Sequence, residues 1–494
     1  MNPSGDREAT GAGFRTEVMR GGAITIAAQA LKFAVQFGSS VVLARLLSPS
    51  DFGMVAMAAA VFGFVRVFED LGLSAATVQA KELTNDQLNA LYWVNVAFGL
   101  LLMVICMASA PALAWFFKTP EVKGVAMLSA CSFLITAAAA QHRAVLTRRM
   151  RFGWLATFEI ASMSCGLLVA VPLALSGFRY WTLVAMNLTM SLVQTSCLVA
   201  SSGWRPTWPK SLGAARHLLI FGRNYSLVSI INYFARDFDK LLVGKVCGAD
   251  ALGIYTRAYN LFVLPLSQLV WPAGGVALPT LSRLQGDPTR FAKYYLNALY
   301  LIVFLLTPCS VWLAVMSRDL ICVFFGNKWI GAAPVLTCLA LSMPLQPVSS
   351  CANWLYVTTN RTGALLKYHF IGVVIICLSM LISVRQGPTA LALAYSVAVA
   401  FWILPGCYFA TRDTPVSLPQ LFRTIYTCLL SGALAAAASL VLQCCVDGPR
   451  FRAWALILHG GVTAAVYFGS ELLVFRQGPK LRLILETVKL SFSK

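Results

Sequence analysis

Long apolar runs alternate with short polar turns along the whole chain. The runs are too long for strands and too uniformly apolar for amphipathic helices packed on a soluble core. A helix needs about 20 apolar residues to cross the hydrocarbon of a bilayer. On that measure the pattern predicts fourteen spans, near residues 21–46, 52–78, 88–115, 123–141, 154–176, 181–202, 218–245, 252–281, 291–316, 330–358, 363–384, 389–410, 421–446 and 453–475. The longest polar interruption is Gly203–His217, which leaves no room for a large extramembrane domain. The expected fold class is an all-α polytopic membrane protein of about 14 transmembrane helices.

Composition agrees. Of 494 residues, 58% are hydrophobic and 12% charged, whereas a soluble domain carries about 25% charged residues. A disordered chain and a water-soluble enzyme are excluded. Net charge is +20, from 39 Lys+Arg against 19 Asp+Glu. In a soluble protein this would suggest nucleic acid; here the basic residues gather on one side of the spans, above all Arg143, Arg148, Arg149 and Arg151 between spans 4 and 5. By the positive-inside rule both termini are expected in the cytoplasm. Residues 1–20 read as a cytoplasmic tail rather than a signal peptide, for they lack a short apolar core and a cleavage site. The 14 Cys show no C-x-x-C and no Cys/His ligand spacing, so no disulfide and no metal site is expected.

A repeat lies in the spacing. Val42–Gly53 resembles Leu242–Gly253 at an offset of 200, pairing Arg45 with Lys245 and placing Gly53 and Gly253 in a short outer turn. Arg151-Phe152-Gly153 resembles Arg361-Thr362-Gly363 at an offset of 210. Six spans separate the copies, and an even number gives a parallel repeat. The expected division is a tail at 1–20, an N-lobe at 21–203 (spans 1–6), a linker at 204–217, a C-lobe at 218–411 (spans 7–12), spans 13 and 14 at 412–476, and a tail at 477–494. Two six-helix lobes plus two extra helices suit a rocker-type transporter with its substrate site in an inter-lobe cavity.

Charges at membrane depth are costly and normally face water or a partner. Lys32 and Gln36 share a face of span 1; Asn232, Arg236, Asp239 and Lys240 form a stripe on span 7; Arg66, Glu69 and Asp70 stand on span 2, and Arg257 on span 8. At the first offset Lys32 falls on Asn232 and Gln36 on Arg236; at the second, Glu159 falls on His369. Lys32, Gln36, Arg66, Asn232, Arg236, Lys240 and Arg257 are the candidate lining of a basic cavity, suited to a phosphate-bearing anion. Glu69, Asp70, Glu159, Asp237 and Asp239 are candidates for a coupling Na⁺ or H⁺. Structural ion pairing within each helix is the plainer alternative. Lys32 has no acid within one turn and requires a partner on another helix or an anionic ligand. Pro265, Pro272 and Pro279 in span 8 suggest either a bend that relaxes during transport or static curvature. Asp237-Phe238-Asp239 spells a glycosyltransferase-like D-x-D, but within an apolar span and without a nucleotide-binding domain.

The run Leu43-Ala44-Arg45-Leu46-Leu47-Ser48-Pro49-Ser50-Asp51-Phe52-Gly53 resembles the signature of bacterial polysaccharide-repeat-unit flippases, the Wzx-like, colanic-acid-exporter-like branch of the MOP superfamily. The resemblance continues through Glu69–Leu73, Arg148–Phe152, Asp239–Lys245 and Ala251–Tyr259, and covers about residues 20–410. It implies translocation of undecaprenyl-pyrophosphate-linked oligosaccharides from the cytoplasmic to the periplasmic leaflet of the inner membrane, by alternating access through the basic inter-lobe cavity. Implied partners are the lipid-linked oligosaccharide and membrane lipid, with a polysaccharide polymerase and other export proteins as further possibilities; nucleic acid is not implied. Spans 13 and 14 would form a groove for the prenyl tail. No catalytic residue and no cofactor is expected, beyond a coupling Na⁺ or H⁺. The competing readings are a peptidoglycan-precursor flippase and a cation-coupled multidrug exporter. The four histidines (His142, His217, His369, His459) are too scattered for a membrane-embedded transferase.

Overall fold

The computed structural model describes residues 29–66, 73–79, 84–209, 216–446 and 452–476, with the helical path alone given for 216–236. Among the described residues every regular element is helical. Eleven stretches among the described residues are long and apolar enough to cross a membrane. The chain divides into two compact units, Met1–Lys245 and Val246–Lys494.

The first unit holds α1 (29–46), α2 (Pro49–Arg66), α3 (Leu73–Gln79), α4 (Asn85–Phe117), α5 (Glu121–Arg148), α6 (Phe152–Leu175) and α7 (Trp181–Ser201). Small residues let these helices touch, as is usual in lipid, where close packing replaces the hydrophobic drive. A Cβ at Gly99 of α4 would strike Ala137 of α5, and one at Gly166 of α6 would strike Met190 of α7. Leu43 and Leu47 at the end of α1 form a core with Ala170 and Leu183; Ala139, Leu146, Phe158 and Leu198 join α5, α6 and α7. α4 opens on a capping box between Thr84 and Gln87, which satisfies two otherwise orphaned amides.

The sequence repeat places Gly53 and Gly253 in an outer turn; that reading is corrected by the backbone. Gly53 lies inside α2 and Gly253 inside α8 (Arg216–Arg283). The turns come earlier, at Leu47–Ser48 and at Gly248, the one non-helical residue within α8, with φ 86° and ψ −177°. Ser48 caps α2 with Pro49 in its first turn, and Asp51 Oδ2 accepts from both the Ser48 amide (3.0 Å) and its hydroxyl (2.5 Å). This Ser-Pro-x-Asp start commits the chain to helix before Gly53 is reached. The offset of 200 survives, since Ser48 and Gly248 stand at it. The prolines of α8 leave its dihedrals helical, and the break at Gly248 divides what is otherwise a helix of 68 residues.

The second unit continues with α9 (Pro288–Val315), α10 (Ser317–Phe324), α11 (Ala332–Ser342), α12 (Gln346–Thr358), α13 (Thr362–Ser383), α14 (Pro388–Thr411), α15 (Leu418–Val446) and α16 (Arg452–Gly469). The predicted span 330–358 is two helices joined by a 3-10 turn at Met343–Leu345. Here the repeat is written in hydrogen bonds. Arg149 N, Met150 N and Arg151 N donate to the carbonyls of Val145, Thr147 and Leu146; Thr359 N, Asn360 N and Arg361 N donate to those of Leu355, Val357 and Tyr356, each 210 residues on. Positive φ recurs at Met150 and Asn360, Gly177 and Gly387, and Gly203 and Asp413, at the same offset. The repeat is thus a property of the backbone in each unit.

Candidate functional site

Three helices of the first unit converge on one polar cluster. Lys32 of α1 lies 2.5 Å from Glu159 Oε2 of α6, and Arg143 of α5 lies 3.0 Å from Glu159 Oε1. The core made by Ala139 and Phe158 with Leu146 and Leu198 holds α5 against α6 so that Arg143 and Glu159 meet. Lys32 therefore finds its partner on another helix. The side chains of Lys32, Glu159 and Arg143 are 31%, 26% and 46% exposed, so the cluster is open on one side. Two cations on one carboxylate leave it net positive, and Glu159 is already engaged at both oxygens. Gln36 and Arg66 are exposed. Glu69 and Asp70 lie outside the described residues, as do the side chains of Asn232 and Arg236.

Lys240 pairs with Asp237, one turn back on α8. Asp239 is buried, and its Oδ1 accepts from the Lys240 amide at 2.8 Å. In the second unit the Arg257 guanidinium stands 5.9 Å from the Phe325 ring centre and 5.8 Å from that of Trp329, a geometry in which the rings offset part of the cost of removing the cation from water. The contacts of the candidate residues are thus Lys32 with Glu159 and Lys240 with Asp237 in the first unit, and Arg257 with the Phe325 and Trp329 rings in the second.

The repeat relates the first cluster to a contact in the other unit. His369 Nε2 of α13 lies 3.1 Å from Asn353 Oδ1 of α12, and these positions stand 210 residues beyond Glu159 and Arg143. The same cross-helix pair is charged in one unit and neutral in the other.

Three features were not read from the sequence. Arg148 and Arg149, part of the basic turn, are hydrogen-bonded within the fold: Arg148 Nη1 donates to Thr77 O at 3.1 Å, and Arg149 Nη1 to Ser202 O at 2.7 Å. The buried Asp51 faces Arg179 Nε at 3.4 Å, tying the start of α2 to the α6–α7 turn. A cavity of about 520 Å³ beside the α4–α5 turn is lined by Trp115, Lys118, Pro120, Lys123 and Lys245. Lys245 lies against the Trp115 and Phe116 rings and donates to the Phe116 carbonyl. The Lys-Thr-Pro of the turn signals a helix end, but only the fold brings Lys245 beside it. Among the described residues no group of three His, Cys, Asp or Glu is placed to hold a metal ion.

The architecture and its cationic clusters can be set against known proteins. The chain is 26% identical over 385 residues to an uncharacterized membrane protein in the cps region of Klebsiella pneumoniae, covering 76% of this chain and 78% of that one. It is 28% identical over 335 residues to the succinoglycan biosynthesis transport protein ExoT of Rhizobium meliloti (strain 1021), covering 68% and 67%. In fold it is similar to the lipid II flippase MurJ in an inward closed conformation, with a TM-score of 0.73, 16% identity, and 92% and 99% of the two chains covered. Residues 42–334, more than half the chain, match the model of one family, and by that match the chain, a multi-pass membrane protein, belongs to the polysaccharide biosynthesis protein family.

Proposed function

We propose that the protein is a flippase for undecaprenyl-pyrophosphate-linked oligosaccharide repeat units, moving them from the cytoplasmic to the periplasmic leaflet of the bacterial inner membrane. Both termini lie in the cytoplasm, and the six-helix lobes at 21–203 and 218–411 supply the moving parts of an alternating-access cycle. The observation that carries this reading is the Lys32–Glu159–Arg143 cluster, a net cationic, partly exposed group whose Arg143 and Glu159 stand on helices long enough to span a bilayer. A pyrophosphate-sugar head group cannot enter hydrocarbon unaided, because its charge and hydroxyls would lose their hydrogen bonds to water. Basic side chains open to water replace that hydration and bind phosphate oxygens by charge-assisted hydrogen bonds. No covalent step is required. Export against a gradient draws on an ion gradient or on removal of the product outside.

The test is deletion of the gene in its host, followed by extraction of lipid-linked oligosaccharide and exposure to a periplasmic-side probe. Accumulated repeat units that the probe cannot reach, cleared by the wild-type gene, support the proposal and identify the glycan. Likeness in fold to a lipid II flippase favours a second reading, in which the cargo is a peptidoglycan precursor. That reading predicts trapped precursor and cell lysis instead.

A further inference from the structure

α16 ends in a single π turn, Ser470–Val474. Such turns widen the helix by one residue and are frequent at functional sites. This one sets Glu471 into the packing between α9 and α15, where it is 0% exposed. Tyr300 of α9 donates its hydroxyl to Glu471 Oε2 at 2.9 Å, and Ser431 of α15 donates to Oε1 at 3.1 Å. A Cβ at Gly432, next to Ser431, would collide with Thr307 of α9; the glycine lets α9 and α15 close on the carboxyl. The other titratable groups against this cluster are Cys428 of α15 and Tyr467, one turn back on α16. Tyr467 is fully buried, with Cys428 and Thr307 beside its hydroxyl. No Lys, Arg or His forms an ion pair with Glu471 among the described residues. The remaining polar pair on this helix, His459 with Ser439, lies twelve residues away, about 18 Å along the axis.

Glu471 therefore differs from Glu159. Glu159 has two cations and is partly exposed; Glu471 is fully buried and, among the described residues, meets only hydroxyl donors. A bare carboxylate in this setting is too costly to persist, so something small must neutralise it. We propose that Glu471 is a monovalent-cation site, binding H⁺ or Na⁺ between α9, α15 and α16. The oxygens of Tyr300 and Ser431 keep lone pairs after donating, and with the nearby Tyr467 hydroxyl they supply the oxygen-rich surroundings that either ion needs. Spans 13 and 14 then do more than cover the bundle. Cation binding stands on this geometry alone; its coupling to export rests on the flippase reading above.

The full-length protein in detergent separates the two ions. Wild type and Glu471→Gln, which keeps the shape, are compared by infrared spectroscopy for a protonated-carboxyl band and by thermal unfolding in sodium against choline chloride. A band present in wild type and lost in Glu471→Gln supports the site with H⁺ as occupant; sodium-specific stabilisation lost in the variant supports it with Na⁺. Should Glu471→Gln fail to fold, Tyr300→Phe serves instead: removing one donor should shift the midpoint of a pH titration of the carboxyl band, or of a sodium titration of the unfolding temperature, about tenfold. Absence of both signals in wild type overturns the site. Export in cells is scored separately: a cation signature with unchanged Glu471→Gln export leaves the site standing and removes its coupling role, whereas absent lipid-linked export in wild type would defeat the flippase reading instead.

Discussion

Arg143 with Glu159 in the first unit and Asn353 with His369 in the second are one contact built twice. Each joins the end of one helix to the start of the next across sixteen residues, at 3.0 and 3.1 Å. The turns between them match hydrogen bond for hydrogen bond. Geometry is therefore common to both units and charge is not. An ion pair is not needed to hold this corner together, since the neutral pair does so in the second unit. On the function proposed above, the charge of the first unit, and the Lys32 that joins it from α1, serve the cargo rather than the fold. An anionic head group is the occupant such a site suits.

The strongest way to break this comparison is to transfer the neutral pair. The double substitution Arg143→Asn with Glu159→His builds in the first unit what the second already contains. It should leave protein level unchanged and reduce export of lipid-linked oligosaccharide to background. Lys32→Ala should do the same, whereas His369→Ala should export like wild type. Surface polysaccharide and membrane protein level, measured together, decide the matter. Full export by the double variant would show that the charge is structural after all.

The sequence made the repeat legible through its turns, because turn chemistry is local. Ser48-Pro49 and Arg151-Phe152-Gly153 announce helix starts whatever the partners. It also made Glu159 and His369 legible as equivalents. Which partners they meet was hidden, for Lys32 and Glu159 are 127 residues apart and only packing of α1 against α6 joins them. Glu471 was hidden for the same reason: on α16 it reads as a polar residue near a span end, and its burial is supplied by α9 and α15. The lysine-lined cavity needs Lys245 beside Lys118, which no spacing suggests.

The break in α8 gives the next effect. Gly248 holds φ 86° and ψ −177°, a region open almost only to glycine, where another residue costs about 1–3 kcal/mol. Gly248→Ala should lower the thermal unfolding midpoint accordingly. The equivalent turn at Ser48 is held by a side-chain cap instead, so Ser48→Ala should cost about 0.5–2 kcal/mol. A silent Gly248→Ala would show that the break relaxes freely.

The arginine braces come next. Arg361 donates to Ala410 O at 2.6 Å and to Phe409 O at 3.3 Å, and lies 5.3 Å from the Tyr356 ring centre. Arg149 makes the corresponding tie to the end of α7 with one hydrogen bond to Ser202 O. Arg361→Ala should cost about 1.5–3 kcal/mol in thermal unfolding and Arg149→Ala less, since hydrogen bonds from charged donors each contribute in that range when shielded from water and Arg149 is the more exposed of the two. Equal losses would mean that the ring contact, the second carbonyl, and the Thr359 and Asp413 contacts of Arg361 together contribute nothing.

The smallest effect tests the turns themselves. Met150 and Asn360 both hold φ 56°, where a Cβ crowds the following carbonyl at a cost of about 1–2 kcal/mol for an ordinary residue, and asparagine is tolerated better than most. Glycine relieves that strain but gives the unfolded chain more freedom. Relief should win at Met150, which is exposed and makes no demand on packing, and roughly cancel at Asn360. Met150→Gly is therefore expected to stabilise the protein by a few tenths to about 1 kcal/mol, and Asn360→Gly to be close to neutral. Calorimetry of the two variants side by side reads the difference directly. If Asn360→Gly stabilised as much as Met150→Gly, the two turns would carry the same strain and the asparagine would be no adaptation to its dihedral.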